Sequence, residues 1–203
     1  NNLTMLPGDV KYADLNGDKI INDADRTIIG NGSPRGWGSL INNIRYGNFD
    51  LTFDVQYSYG NDVLDLTLHP SEDRQALANS YKSVLDAWTP QNLNSQIAEI
   101  RDTRAGYVTN VDTRWVYDGS FLRGRNLLLG YNFPSEVASK LKMSRLRLYA
   151  SVQNFFLLTK YPHGDPETAP IRGGTGNNVF SQGIIWHGYP RPTMYMGGIQ
   201  LTL

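Results

Sequence analysis

The sequence predicts an all-β fold: about five antiparallel strands, the C-terminal ones of a large transmembrane β-barrel, joined by long extracellular loops. Three observations predict it. The stretch FDLTFDVQYSY alternates without a break, Phe49, Leu51, Phe53, Val55, Tyr57 and Tyr59 against Asp50, Thr52, Asp54, Gln56 and Ser58. Successive strand side chains point to opposite faces, so one face is apolar and the other wet. A strand of a soluble sheet runs about five or six residues, whereas crossing a bilayer takes about nine to eleven tilted ones. The second observation is that short and long connections alternate along the chain, as turns and loops do on the two sides of a barrel. The third is that no apolar run reaches the roughly eighteen residues of a membrane helix, so a membrane crossing here would be made by strands.

Composition narrows the function classes. The chain has 203 residues, enough for one domain, with 19 Lys plus Arg against 19 Asp plus Glu. Balanced charge gives no footprint for nucleic acid and no polybasic membrane patch. Cysteine is absent, which excludes disulfides and thiolate metal sites. The beginning, NNLTMLPGDV, has neither the basic nor the apolar region of a signal peptide, as expected of a cytoplasmic protein or of a piece of a longer chain.

Residues 1–35 read as an extracellular loop carrying an EF-hand-like calcium motif. Asp14, Asn16 and Asp18 stand at positions one, three and five of a twelve-residue loop, with the Ile20 carbonyl at seven, Asn22 at nine and Asp25 at twelve. Alternate oxygens at this spacing converge on a hard cation, with no nitrogen or sulfur among them. Lys19 occupies the sixth position, normally Gly because the chain turns sharply there. The competing reading is an Asx-rich turn without metal.

Arg35 to Tyr46 is the first predicted strand, with Leu40, Ile44 and Tyr46 on one face and Ser39, Ile41, Asn43 and Arg45 on the other. Gly47-Asn48 joins it to the Phe49–Tyr59 strand as a tight hairpin. Regularity then stops for nearly sixty residues, except that Ser71 to Trp88 places Leu77, Tyr81, Val84, Leu85 and Trp88 at helical spacing, an amphipathic helix inside a long loop. Phe121 to Phe133 is the third strand, with Leu127, Leu129, Tyr131 and Phe133 sharing a face. A short connection, Pro134 to Met143, leaves room for a helical turn over Glu136 to Leu141. Arg145 to Phe156 and Thr193 to Leu203 are the last two strands, separated by a long loop from Tyr161 to Pro190. Five strands fall short of the roughly eight that close the smallest barrels, so residues 36–203 are expected to be part of a larger wall.

Several words of the sequence carry a family resemblance in order. They are Gly8-Asp9-Val10-Lys11-Tyr12 to Gly30-Asn31, Asn48-Phe49-Asp50-Leu51, Trp88-Thr89-Pro90, Gly119-Ser120-Phe121-Leu122-Arg123, Leu129-Gly130-Tyr131-Asn132-Phe133-Pro134, Gln153-Asn154-Phe155 with Thr159-Lys160-Tyr161, and Tyr189-Pro190 to Thr193. Together they resemble the C-terminal third of SusC/RagA-like TonB-dependent transporters. The resemblance implies a barrel of about 22 strands around a plug, in the outer membrane of a Gram-negative bacterium. It implies partners as well: a SusD-like lipoprotein cap, and the TonB energy-coupling system, reached through parts not in this sequence. The implied cargo is oligosaccharide or peptide.

Two other readings compete. One is a soluble, calcium-stabilised β-domain binding glycans, in which Trp37, Trp88, Trp115 and Trp186 would stack on sugars. The other is an enzyme, but His69, His163 and His187 are scattered without a nucleophile motif, so no catalytic residue is expected. No residue is assigned to substrate.

Overall fold

The computed structural model describes residues 6–73, 79–100, 111–167, 182–186 and 188–203, and within them not the side chains of His69, Pro70 and Asp73. Five long strands form one antiparallel sheet: β1 (Gly36–Tyr46), β2 (Phe49–Tyr59), β5 (Phe121–Asn132), β6 (Arg145–Thr159) and β8 (Met194–Thr202), each beside its chain neighbour among the five. The two-residue hairpin after Tyr46 forms as expected, with Gly47 at φ +56° supplying the left-handed residue that such turns need. The other short connection carries the helix α2 (Ser135–Lys140).

The register turns alternation along single strands into rows across the sheet. Ile44, Leu51, Leu129, Ala150 and Gly197 make one row, and Tyr46, Phe49, Tyr131, Leu148 and Ile199 the next. Phe49 and Tyr131 touch across strands with ring centroids 4.8 Å apart, a pairing that adds to the strand contact. No residue of either row belongs to the buried core, and Tyr46 and Tyr195 are 85% and 82% exposed. Among the described residues, the sheet thus presents an apolar face that no protein layer covers. It does not close on itself; β1 and β8 are its edges.

The opposite face carries Asp50, Thr52, Asp54, Gln56 and Ser58 on β2, in register with Arg45, Asn43, Ile41, Ser39 and Trp37. A bulge in β5 reorganises the upper half of this face. Asn126 pairs with Asp54 and Gln153, but Gly124 pairs with Val55 and Phe156, so Arg125 is an extra residue against β2, while β6 sets two residues, Asn154 and Phe155, opposite it. The parity of β5 reverses there, so that Arg123 and Phe121 join the polar face and Leu122 the apolar one.

The buried core lies beyond the long-loop end of the sheet. A second, three-stranded sheet, ordered β4-β3-β7, is built from β3 (Asp62–Asp65), β4 (Val116–Asp118) and β7 (Ile184–Ile185). Val63, Ile185 and Tyr161 pack there with Tyr117, and Trp115 is fully buried. The loops expected to be irregular are therefore partly organised. Strands of two to four residues are too short for alternation to show, and β3 and β7 are far apart in the chain. Gly32 and Gly183 let the N-terminal segment cross beside this sheet: a Cβ on Gly32 would stand 2.2 Å from the Gln182 carbonyl oxygen.

The amphipathic helix expected over Ser71 to Trp88 does not form. A helix, α1, covers Leu68–Asp73, and a 3₁₀ turn covers Lys82–Asp86; Leu77 lies outside the described residues. Tyr81 has an extended backbone, and Leu85 is 85% exposed while Val84 and Ala87 are buried. Asn79 and Ser80, poor helix formers, lead into the break.

The Tyr161 hydroxyl donates a hydrogen bond to Asp65, whose side chain is 2% exposed. Burial, together with the Asp65 carboxylate, pushes the Tyr161 phenol well above its ordinary pKa, so it remains a donor. Tyr161→Phe is expected to destabilise the small sheet by about 1–3 kcal/mol, because it leaves one oxygen of a buried carboxylate without its donor while the Thr67 N–H still holds the other. Hydrogen exchange should accelerate at the β3 amides and stay unchanged in the middle of β5.

Candidate functional site

At the short-connection end of the polar face, charges are paired across strands. Arg147 on β6 donates to both carboxylate oxygens of Asp50 on β2, through Nε at 3.2 Å and through an Nη, and its other Nη donates to Gln200 on β8 at 3.0 Å. Asn132 adds a 2.7 Å bond to Asp50. The strand between them offers Gly130, where a Cβ would lie 2.5 Å from both Arg147 Nη2 and Asp50 Oδ2. Glycine here is what lets the guanidinium reach over β5. Asp50, Asn132 and Arg147, with Arg45 and Arg145, help to line an open cavity of about 420 Å³.

At the other end, Arg123 is 2% exposed and is held against Asp165, itself 2% exposed. Its Nε lies 3.4 Å from Glu167, an ion pair without hydrogen-bond alignment, and Arg191 reaches Glu167 at 3.3 Å. Burial alone would raise the pKa of Asp165; hydrogen bonds from Arg123 and from the backbone N–H groups of Glu167 and Arg191, with the guanidinium charge, hold it below the ordinary value. Gln56 donates to Glu167 at 3.5 Å, while its own amide oxygen is buried without a donor. Beside this network opens a pocket of about 640 Å³, walled by Trp37, Ser58, Phe121 and Tyr189 as well as Gln56 and Glu167. Such a wall combines aromatic surface with hydrogen-bonding groups, which suits a polar ligand having an apolar side.

The N-terminal loop folds on its own oxygens. Asp14 accepts from the N–H groups of Gly17 and Lys19, at 2.7 and 2.8 Å, and Asp18 from that of Ile20 at 2.7 Å. Asp25 closes the loop, accepting from Leu15 and Asn22 at 2.9 Å each, and these donors hold its carboxyl below the usual range. Asn22 caps the 3₁₀ turn Asp23–Asp25, and its side chain donates to the Ile20 carbonyl. Asn16 is bonded to Asp18 at 2.9 Å. Lys19, at the sixth position, has φ +66°, the left-handed conformation expected there. Among the described residues no three His, Cys, Asp or Glu side chains stand together as a metal-ligand set.

Of the other residues singled out, Trp115 is core, while Trp37 and Trp186 are 75% and 47% exposed. His163 packs edge-on against Tyr117 and Tyr161. The side chain of His69, and His187 altogether, lie outside the described residues. Sequence reasoning did not find Arg123, Asp165, Glu167 or Arg191. A signal was present: Arg123 and Arg125 occupy the same parity as Leu127, Leu129 and Tyr131, and two arginines in an apolar row mark a bulge.

No family model matches the chain. It is 34% identical over 197 residues to the TonB-dependent receptor P3 of Formosa agariphila, covering 96% of this chain and 19% of that protein. It is 26% identical over 195 residues to the TonB-dependent receptor SusC of Bacteroides thetaiotaomicron, covering 94% of this chain and 17% of SusC. Among solved structures it is similar to the RagAB peptide importer in its open-open state, with a TM-score of 0.72 and 26% identity over 95% of this chain and 20% of that one. The chain spans about a fifth of the length of the relatives it matches.

Proposed function

We propose that this chain, a relative of the SusC/RagA-like TonB-dependent transporters over nearly its whole length, forms part of the barrel wall of an outer-membrane importer driven through TonB. One observation carries the reading: a five-stranded antiparallel sheet whose apolar face no layer of the described residues covers, backed by a face of paired charges. Hydrocarbon would cover the first face and a water-filled lumen would meet the second. Residues 36–203 would be wall and loops, and residues 1–35 an extracellular loop. Transport needs no bond to be made or broken in the cargo, so this chain is assigned no catalytic residue.

The cargo we infer is an oligosaccharide or a peptide, received together with a SusD-like surface lipoprotein. The RagAB relative is named a peptide importer, and the pocket beside Trp37 and Gln56 has the mixed aromatic and polar wall that either cargo would use. Single cysteines test the orientation. Leu51→Cys should resist a water-soluble thiol reagent in outer membranes, and Thr52→Cys should react. Equal labelling would sink the barrel reading.

Calcium, as a structural ion of the N-terminal loop, belongs to the same proposal. Asp14, Asn16, Asp18, the Ile20 carbonyl, Asn22 and Asp25 supply only oxygen, and the loop is already wound as such sites are, down to the left-handed sixth residue. Calcium titration should protect the loop from proteolysis, and Asp14→Ala with Asp18→Ala should remove that protection. If calcium changes nothing in the parent protein, the loop is an Asx-rich turn.

A further inference from the structure

The ion-pair network at the long-loop end joins three parts of the chain. Arg123 belongs to β5, Asp165 and Glu167 follow β6, and Arg191 precedes β8. Asp165 Oδ2 also accepts from the Arg191 backbone N–H at 3.4 Å, and Asp165 Oδ1 from that of Glu167 at 2.9 Å. The foot after β6 therefore meets the Arg123 guanidinium directly, and the foot before β8 is tied to it through the Asp165 and Glu167 carboxylates. That guanidinium also lies over the Phe121 ring, 5.3 Å from its centroid. A buried arginine is tolerated only when its charge is matched, and here two carboxylates and two arginines balance. The β5 bulge is what puts Arg123 on this face at all.

We propose that Arg123 is a positioning residue, a clasp that fixes both feet of the β6–β8 connection to the polar face of the wall and so sets the rim of the pocket that Pro166, Glu167 and Arg191 help to line. The inference rests on the barrel reading only for which side is the lumen; the contact itself does not depend on it. Removing either member of the innermost pair strands a charge in a dry place, and the feet leave the wall to rehydrate it. The rest of the barrel, held by its ladders, stays in place.

The test uses the full-length transporter in detergent and limited trypsin digestion. Lys160 and Arg172 offer cleavage sites in the connection, and Lys82 offers one in a different loop. Arg123→Gln and Asp165→Asn should each speed cleavage at Lys160 or Arg172 by at least about tenfold, leave cleavage at Lys82 unchanged, and keep the heat-modifiable band of a closed barrel. The exchange Arg123→Asp with Asp165→Arg should recover most of the protection. Should Arg123→Gln fail to assemble, Asp165→Asn decides alone, since it alters only the loop, and its failure to assemble would itself overturn the clasp. Unchanged cleavage in assembled variants, equal acceleration at Lys82, or an exchange no better than the single variants would overturn it too. A parent protein with no heat-modifiable band would refute the barrel reading, while the protease comparison would still report on the contact.

Discussion

Leu127→Arg should cost the assembled barrel about 2–4 kcal/mol, the range for a cation on the lipid face of a barrel at mid-depth. Leu127 lies in the middle of β5, in register with Phe53 on one side and Val152 on the other, in a row of half-buried side chains on the apolar face. Its neighbour Asn126 points to the other face, in register with Asp54 and Gln153. Asn126→Arg should cost less than about 1 kcal/mol, because a charge at the wet face keeps its hydration and gains Asp54 nearby. Urea titration of both variants refolded into lipid vesicles, followed by the heat-modifiable band, gives the comparison. If the two shift equally, the faces have been assigned the wrong way round.

Gly130→Val should be as damaging for a different reason. The new Cβ would stand 2.5 Å from Arg147 Nη2 and from Asp50 Oδ2, side chains that are 15% and 17% exposed. Both must move, and the pair that ties β2 to β6 across β5 separates. Breaking such a half-buried pair, with overpacking added, should cost about 2–4 kcal/mol in the same titration. Removing the obstruction offers a control. Asp50→Ala with Arg147→Ala, placed in the Gly130→Val background, should recover a large part of the loss, because the pair then leaves no stranded charge and the valine has room. A double variant no better than Gly130→Val alone would mean that glycine is needed for its backbone and not for the passage of the guanidinium.

The amino-acid sequence alone determined what depends on local order. Strict alternation in Phe49–Tyr59 specifies a strand and its two faces, since a strand's side-chain period is two whatever lies around it. Gly47-Asn48 specifies the hairpin that sets the β1–β2 register, and Asp14 to Asp25 specify a loop wound on its own oxygens, with Lys19 forced into the left-handed region. Every one of the five long strands was legible for this reason. Tertiary structure decided what depends on partners distant in the chain. Among the described residues the helix expected through Ser71–Trp88 gave way to a short helix, Leu68–Asp73, and a 3₁₀ turn, Lys82–Asp86, because helical spacing of apolar residues does not by itself provide a surface on which to bury them. The β3, β4 and β7 strands exist only because each has the others to bond, and none is long enough to announce itself. Arg123 shows the division most sharply. Its place in an alternating strand assigns it to the lipid face; one extra residue at Arg125 turns it inward, where Asp165, 42 residues away, can match its charge. Desolvation makes an unmatched buried charge untenable, so the inward turn at the bulge depends on the ion pair, and pairing across that distance is a property of the folded chain.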